Sequence, residues 1–298
     1  MLKHLIKIED LSASEIENIS QDALAIKQNF TEKTLLGKNI CLMFFENSTR
    51  TKISFEVAAK KLGANVINFE TTTSSINKGE TLRDTIENLY FIGIDAVVIR
   101  TSDDDLITNL CKEVRYPMHF INAGSGKASH PTQALLDYVT MKEKIGSIVG
   151  KKIVIIGDVE HSRVAKSNIA LWTKFGANVV VCAPEYFKSA IKEGCIYTSD
   201  MREAIADADV IMGLRIQKER ILEAYSEDDY IDNYQLNSNL LEKYAPQAIL
   251  MHPGPVNREV EITSELLDSS LGETILEQAR NGVYTRMAVL QKILGDAK

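Results

Sequence analysis

The chain has 298 residues, which at about 150 residues per domain predicts two domains or one large one. Hydrophobic residues make up 45% and charged residues 25%, so a large core can form without metals or disulfides. The 34 basic and 41 acidic residues give a net charge of −7, which argues against non-specific nucleic-acid binding, because such binding needs a basic surface. That total is still compatible with a local cationic pocket for an anionic small molecule.

The four cysteines form no Cys-x-x-Cys pair, and together with the five histidines they show no zinc-ligand spacing. The start of the chain is charged and has no apolar stretch of signal-peptide length, and no run reaches 18 apolar residues. We therefore expect a soluble, cytoplasmic protein that binds neither a metal, a membrane nor a nucleic acid. No Gly-x-Gly-x-x-Gly follows the apolar run at 152–157, so a nicotinamide cofactor is not expected.

Short β-branched runs alternate with longer amphipathic stretches along the chain. The predicted strands cover residues 39–45, 65–69, 96–100, 118–123, 152–157, 178–182, 209–213 and 249–251. The predicted helices cover residues 51–62, 81–91, 131–144, 162–175, 201–205 and a last amphipathic segment, 273–294. This alternation is typical of parallel sheets with right-handed crossovers.

The alternation therefore predicts an α/β protein with two Rossmann-like domains, each built on a parallel sheet. We place the first domain at residues 1–136 plus 283–298 and the second at 137–282. The C-terminal helix is expected to return to the first domain.

The first candidate site is Ser48-Thr49-Arg50-Thr51, where a predicted strand meets a predicted helix. The start of a helix presents N–H groups and a positive dipole end, which suit an anion. Hydroxyls add donors, and the Arg50 guanidinium matches phosphate oxygens. The alternative for each residue alone is that Asn47 or Ser48 only caps the helix and Arg50 is solvated. The cluster as a whole favours phosphate binding.

Two further motifs belong to the first block. The loop from Ser74 and Ser75 to Lys78 precedes a predicted helix, and by itself it fits a plain connector. In His130-Pro131-Thr132-Gln133, the proline suits the first helical position, which puts His130 at the cap and Gln133 one turn along. Both side chains can donate to a carbonyl oxygen, but a capping histidine with a surface glutamine fits equally well.

The second block also places polar side chains after its strands. Arg163 follows the strand at 152–157, and Arg215 and Gln217 follow the strand at 209–213. Two guanidinium groups can hold a substrate with two carboxylates, although solvated arginines are the default interpretation.

A rigid turn, His252-Pro253-Gly254-Pro255, follows the last predicted strand of the second block. It can offer backbone carbonyls to a donor group. Its Gly254–Pro255 bond is a candidate for the cis form.

Taken in order, these motifs resemble the aspartate/ornithine carbamoyltransferase family, from about Leu5 to Leu290. The resemblance rests on Ser48-Thr49-Arg50-Thr51, Ser-x-x-Lys78-Gly-Glu, His130-Pro-Thr-Gln133, His-Ser-Arg163-Val-Ala, Leu-Arg215-Ile-Gln-Lys-Glu-Arg and His252-Pro-Gly-Pro-Val-Asn-Arg-Glu-Val-Glu-Ile. The family implies one domain for carbamoyl phosphate, one for the amino acid, and an active site between them. It also implies transfer of the carbamoyl group to the α-amino group of the acceptor.

The resemblance implies a role for each matched residue. The phosphate would be held by Ser48, Thr49, Arg50, Thr51 and Arg100. The carbamoyl oxygen would be polarised by Thr51, Arg100 and His130, and the carbamoyl amine held by Gln133 and the turn Pro253-Gly254-Pro255. The amino-acid substrate would be oriented by Lys78, Arg163, Arg215 and Gln217. No cofactor is implied, because phosphate is a good leaving group. The base that takes the amine proton is left open, with phosphate itself as one candidate.

The resemblance further implies homotrimers in which Ser74, Ser75 and Lys78 reach the site of a neighbouring subunit. It leaves open whether a regulatory chain or a partner enzyme also binds.

Two arginines and Lys78 fit the two carboxylates of L-aspartate, whereas ornithine would want an acidic partner. The ornithine enzymes carry His-Cys-Leu-Pro and Ser-Met-Gly, and this chain has His252-Pro-Gly-Pro and no Ser-Met-Gly. We therefore expect carbamoylation of aspartate in pyrimidine biosynthesis. The alternatives are a different amino-acid acceptor, or a silent structural or regulatory relative, which should have lost Arg50, His130 or Lys78.

Overall fold

The computed structural model describes residues 2–70, 79–190, 194–217 and 225–295. The chain forms two compact units, residues 1–136 with 281–298 and residues 137–280. Each unit has its own parallel sheet with helices, which confirms the predicted α/β class.

The sheet of the first unit has the strand order β2-β1-β3-β4, and all its pairings are parallel. The strands are β1 (Asn39–Phe44), β2 (Asn65–Phe69), β3 (Ala96–Thr101) and β4 (His119–Ser125). The helices are α1 (Ala13–Gln28), α2 (Thr49–Lys61), α3 (Leu82–Ile92), α4 (Leu106–Glu113) and the start of α5 (Pro131–Ile145). The end of α11 (Glu273–Leu294) also belongs to this unit.

The sheet of the second unit has the order β7-β6-β5-β8-β9, again with parallel pairings. Its strands are β5 (Lys152–Ile156), β6 (Asn178–Cys182), β7 (Cys195–Thr198), β8 (Val210–Gly213) and β9 (Ile249–Met251). Its helices are α6 (Arg163–Lys174), α7 (Met201–Ile205), α8 (Glu227–Tyr234), α9 (Ser238–Tyr244) and α10 (Ser264–Leu267), with a 3₁₀ helix at Glu185–Ala190.

The central strands read as nearly continuous apolar runs because both faces of each sheet are covered. Cys41, Met43, Val97, Ile99 and Phe120 pack into one buried cluster of the first sheet. Such runs are typical of parallel sheets. The edge strand β7 was not predicted, since its four residues are half-buried or exposed and too short for a clear pattern.

Each sheet contains a point at which the direction of winding reverses. In the first unit the chain moves from β1 outward to β2 and then returns to place β3 on the other side of β1. In the second unit the same reversal separates β5 from β8. Loops that leave such neighbouring strands diverge at their carboxyl ends, and ligands of open α/β sheets bind there. The two reversals therefore define where functional side chains are expected.

The carboxylate of Glu87 on α3 is an acid-sensitive part of the first unit. It accepts hydrogen bonds from Arg83 Nε at 3.1 Å and from the backbone N–H of Arg115 at 3.2 Å, and it pairs with the Arg115 guanidinium. Those bonds, the Arg115 side chain first, lower the pKa of Glu87 from 4.5 to about 2. A depressed carboxylate pKa contributes stability above the unfolded-state pKa, and that contribution is lost as the pH falls through the folded-state pKa.

We expect Glu87→Gln to be less stable than the unchanged chain at pH 7. The difference should shrink as the pH falls from 4.5 towards about 2. Urea unfolding across this range measures it, with the exposed pair Lys188–Glu185 as a control through Glu185→Gln. If the difference in unfolding free energy between Glu87→Gln and the unchanged chain stays constant with pH, the lost stability comes from packing and not from the charge.

Candidate active site

The reversal between β1 and β3 carries the predicted phosphate motif. Ser48 occupies the N-cap position of α2, but its hydroxyl makes no capping hydrogen bond. Thr49 and Arg50 open the helix as exposed residues, and Thr51 is 7% exposed. The Ser48 hydroxyl therefore does not cap the helix, whereas the exposure of Arg50 agrees with the alternative of a solvated arginine. The helix start and its hydroxyls are suited to an anion.

Arg100 lies on the neighbouring strand at the same edge. It pairs with Phe44 across the β1–β3 ladder, and its Nη1 donates to the carbonyl of Ala123 at 3.4 Å. Its Nε lies 3.5 Å from Glu46 Oε2. Glu46 was not predicted as a site residue, although a carboxylate directly after a strand and two residues before Ser48 is a usable signal. The pair holds the Arg100 guanidinium at the carboxyl end of the sheet.

His130 and Gln133 lie at the start of α5, after β4. The His130 carbonyl accepts hydrogen bonds from Gln133 N at 3.0 Å and Ala134 N at 3.2 Å, as expected for a cap residue. The side chains of His130 and Gln133 are only 4% and 8% exposed. The alternative of a surface glutamine is therefore wrong. Because β1, β3 and β4 are parallel neighbours, Arg50 and His130, which follow strands, and Arg100, near the end of β3, all lie at the carboxyl ends of the first sheet.

The loop at residues 126–128, which follows β4, lies at that same end of the sheet, and a carboxylate of the chain itself occupies it. Asp104 Oδ1 accepts hydrogen bonds from the N–H groups of Lys127 at 2.7 Å and Ala128 at 3.1 Å. A Cβ at Gly126 would lie 1.8 Å from Asp104 Oδ1, and the φ of Gly126 is +44°. The loop is thus an anchored turn.

In the second unit, Asp158 ties together the two loops at the β5–β8 reversal. It accepts from the N–H of His161 at 3.1 Å and of Gln217 at 3.3 Å, and His161 Nδ1 lies 2.8 Å from its Oδ1. The Gln217 side-chain amide donates to the carbonyl of His161 at 3.0 Å. Burial raises the pKa of Asp158, and the bonds from His161 and Gln217 oppose that rise. The predicted residue Gln217 is thereby fixed beside the start of α6.

The two arginines of the second unit flank this reversal. Arg163 is the first residue of α6 and is 8% exposed, so the default of a solvated arginine is wrong for it. The helix is capped by Ser162, whose hydroxyl accepts from Ala165 N at 3.1 Å. Arg215 is half-buried and follows β8 directly after Leu214. Arg163 at the start of α6 and Arg215 in the loop after β8 therefore both follow strands of the second sheet at their carboxyl ends.

Glu261 fixes the loop that carries Arg215, and sequence reasoning did not identify it. Its carboxylate is 1% exposed and accepts from Ile216 N at 2.8 Å and from Asn257 N at 2.6 Å. Burial raises the pKa of Glu261, while these bonds and the charge of Arg215 lower it. The carboxylate holds the backbone next to the guanidinium.

Gly157 permits the close approach of the two loops. Its φ is +111°, and a Cβ there would lie 2.7 Å from Tyr230 Oη and 3.3 Å from the carbonyl of Leu214. Any other residue would strain the backbone and push the loop of Arg215 away.

The turn His252-Pro253-Gly254-Pro255 follows β9 and contains a cis Gly254–Pro255 bond, as predicted. His252 is 1% exposed, and its Nδ1 accepts from Gly254 N at 2.9 Å. The His252 N–H donates to Gln278 Oε1 at 2.8 Å, and Gln278 Nε2 donates to the buried carboxylate of Asp137 at 2.9 Å. This chain of bonds, which was not predicted, fixes the carbonyls of Pro253 and Gly254.

The predicted residues Ser74, Ser75 and Lys78 lie outside the described residues. Across the described ranges, no group of three His, Cys, Asp or Glu side chains is arranged to hold a metal ion. Within the same ranges, no helix is both long and apolar enough to cross a membrane. All four cysteines are free thiols, and burial raises the pKa of Cys41, Cys111 and Cys182 to about 12, which keeps these three thiols protonated.

Two family models match the chain. The carbamoyl-phosphate binding domain of aspartate/ornithine carbamoyltransferases matches residues 3–143, and the aspartate/ornithine binding domain matches residues 149–293. The aspartate carbamoyltransferase catalytic subunit of Solibacter usitatus is 44% identical over 98% of this chain and 99% of its own length.

Solved structures show the same similarity. Aspartate transcarbamoylase of Trypanosoma cruzi in complex with N-(phosphonacetyl)-L-aspartic acid has a TM-score of 0.86 and 29% identity, covering 98% of this chain and 95% of its own. Ornithine carbamoyltransferase of Pyrococcus furiosus has a TM-score of 0.84 and 31% identity, covering 99% and 98%. The fold is thus shared by enzymes with different acceptors. Together with the two matched domains, these similarities show that the chain belongs to the aspartate/ornithine carbamoyltransferase family.

Proposed function

We propose that the chain transfers the carbamoyl group of carbamoyl phosphate to the α-amino group of L-aspartate. The products are N-carbamoyl-L-aspartate and phosphate, in pyrimidine biosynthesis. The observation that carries this proposal is the placement of cationic side chains at the winding reversal of each sheet, Arg50 and Arg100 in the first unit and Arg163 and Arg215 in the second.

The first unit supplies the phosphate site. Ser48, Thr49, Arg50 and Thr51 donate from the start of α2, and Arg100 adds a second guanidinium from β3. A helix start with hydroxyl and guanidinium donors matches the oxygens of a phosphate in number and charge. Two protein oxygens orient the Arg100 guanidinium: Glu46 Oε2, near Nε, and the carbonyl oxygen of Ala123, which accepts from Nη1.

Donors to the carbamoyl group lower the reaction barrier. The amine attacks the carbamoyl carbon, and negative charge builds on the carbonyl oxygen. The C–O bond to the phosphate then breaks, and the amine proton passes to a base, for which the departing phosphate is the candidate within the reaction itself. Thr51, Arg100 and His130 donate to that oxygen, and Gln133 with the carbonyls of Pro253 and Gly254 holds the carbamoyl amine. Donors that meet the developing charge stabilise the transition state more than the substrate.

The second unit supplies the acceptor site. Arg163 and Arg215 bind the two carboxylates of aspartate, which is what selects it over an acceptor with a second amine. Gln217 adds an amide to this site. Its Nε2 donates to the carbonyl of His161 at 3.0 Å, which supports an orientation set before the substrate binds. Lys78 adds a further cation.

We assign the chain to a homotrimer in which Ser74, Ser75 and Lys78 act in the site of a neighbouring subunit. One observation supports a contact between copies: the apolar side chains of Ile53 and Val57, one turn apart on α2, are 54% and 36% exposed. Apolar side chains at this spacing form a stripe that another copy can cover. A cytoplasmic location fits the four free thiols.

Hybrid trimers test the sharing of sites. Arg50→Ala subunits and Lys78→Ala subunits should each be nearly inactive, whereas a mixture refolded together should recover activity, because some sites combine two unchanged halves. Trimers of mixed composition, verified by mass after a charge tag on one subunit type, provide the measurement. If verified mixed trimers recover no activity, the proposal that subunits share active sites is contradicted.

The reaction itself is tested by following ¹³C-labelled carbamoyl phosphate by NMR with aspartate and ornithine present at equal concentration. We expect the carbamoyl aspartate signal to dominate. Dominant carbamoyl ornithine would contradict the roles of Arg163 and Arg215, and a protein that produces neither would contradict the proposal as a whole.

A further inference from the structure

Arg286 on α11 is a buried cation that none of the steps above uses. It is 3% exposed. Its Nη1 donates to Ser54 Oγ at 2.8 Å and to the carbonyl of Gly282 at 3.1 Å, and its Nη2 donates to Thr132 Oγ1 at 3.4 Å. The guanidinium carbon lies 5.0 Å from the centroid of the Phe55 ring. One guanidinium thus joins α2 to the start of α5.

The two hydroxyls that Arg286 holds adjoin the proposed substrate contacts. Ser54 comes three residues after Thr51, so both lie on the same face of α2, and they are 8% and 7% exposed. Thr132 is fully buried and lies between His130 and Gln133 in the first turn of α5. On α2, the Ser54 hydroxyl bonded to the guanidinium therefore lies one turn from Thr51. On α5, the bonded Thr132 hydroxyl belongs to the residue next to Gln133.

Gly282 is a second, independent observation, because the space beside its Cα is filled by the Arg286 guanidinium. A Cβ at Gly282 would lie 2.6 Å from Arg286 Nη1 and 3.2 Å from Leu136 Cδ2. A glycine inside a helix costs about 1 kcal/mol relative to alanine. Keeping glycine here leaves space for the arginine side chain at the expense of the helix's own stability.

We propose that Arg286 is a positioning residue, which fixes the starts of α2 and α5 relative to each other and so keeps Thr51, His130 and Gln133 in register with carbamoyl phosphate. This inference rests on the proposed function. Misplacement of catalytic donors by about 1 Å can cost about 100-fold in rate. Loss of the guanidinium should therefore change kcat and the KM of carbamoyl phosphate, and should change the KM of aspartate far less.

The test compares three variants with a matched control. Arg286→Met removes the donors, Arg286→Lys retains the charge with fewer of them, and Gly282→Ala displaces the unchanged arginine. Gln291→Met is the control, because Gln291 lies on the same helix and its Nε2 donates to Thr34 Oγ1 at 2.8 Å, remote from the start of α5. The measurements are kcat, the separate KM values of carbamoyl phosphate and aspartate, inorganic phosphate binding by ³¹P NMR, and urea unfolding.

For Arg286→Met we expect kcat to fall and the KM of carbamoyl phosphate to rise, together by about 10- to 100-fold in kcat/KM. Arg286→Lys should lose less kcat/KM than Arg286→Met. Gly282→Ala should change the same constants in the same direction. The control Gln291→Met should have the kinetic constants of the unchanged chain. Folded Arg286→Met with these constants within about two-fold would overturn the proposal. If that variant does not fold, Gly282→Ala with unchanged constants overturns it. Failure of the unchanged chain to make carbamoyl aspartate would reject the proposed function separately, and phosphate binding would still report on Arg286.

Discussion

Arg50→Ala should lower kcat/KM for carbamoyl phosphate by at least about 10²–10³-fold. That is the usual cost of removing one preorganised donor from a charge that develops in the transition state, which for Arg50 is the charge on the leaving phosphate. Arg50 lies in the first turn of α2 at the β1–β3 reversal, where the helix start already favours an anion, so the guanidinium adds charge that the backbone N–H groups cannot replace. Steady-state rates at varied carbamoyl phosphate and saturating aspartate provide the measurement.

Lys60→Ala is the matched control for that experiment. Lys60 is a cation on the same helix, paired with Glu56 at 2.6 Å in the last turns, remote from the helix start. It should leave both kinetic constants nearly unchanged. Near-normal kinetics for Arg50→Ala, or an equal loss for Lys60→Ala, would contradict a specific phosphate role.

Arg215→Ala should raise the KM of aspartate by about 10- to 100-fold, the cost of a lost charge-assisted hydrogen bond to a carboxylate. Because Glu261 holds the neighbouring Ile216 N–H at 2.8 Å, the loop should keep its position when the side chain is removed. The KM of carbamoyl phosphate should change little. The loss is therefore expected to be confined to one substrate.

Arg258→Ala serves as the control in the same unit. Arg258 is exposed and pairs with Asp268 through two bonds, of 2.9 and 2.7 Å. Removal of this exposed pair should leave both KM values unchanged, since such pairs contribute little. An Arg215→Ala protein with unaltered aspartate KM would remove Arg215 from the acceptor site.

The positions of many candidate site residues were predictable from the sequence, because these residues follow strands directly. Periodicity located eight of the strands, and the rule that ligands gather at carboxyl ends pointed to Ser48–Thr51, His130 and Arg215. The start of α5 at Pro131 was predictable from proline chemistry. Local patterns of this kind are encoded within a few neighbouring residues.

The supporting contacts were not predictable, because they join residues far apart in the chain. Glu261 and Ile216 are 45 positions apart, and Arg286 and Ser54 are 232 apart. A buried glutamate or arginine in a single sequence looks like any surface charge until its partner is known. The same reason hid the contact of Asp158 with the N–H of Gln217, which lies 59 positions away.

The most direct test of the central claim is the binding of N-(phosphonacetyl)-L-aspartate, which joins a phosphonate to an aspartate in one molecule. Calorimetric titration of the unchanged chain, Arg50→Ala and Arg215→Ala reports whether both sets of cations act on the same substrate pair. We predict tight binding to the unchanged chain and a Kd raised at least about 10-fold by each substitution. Binding that one substitution weakens and the other leaves intact would contradict the account.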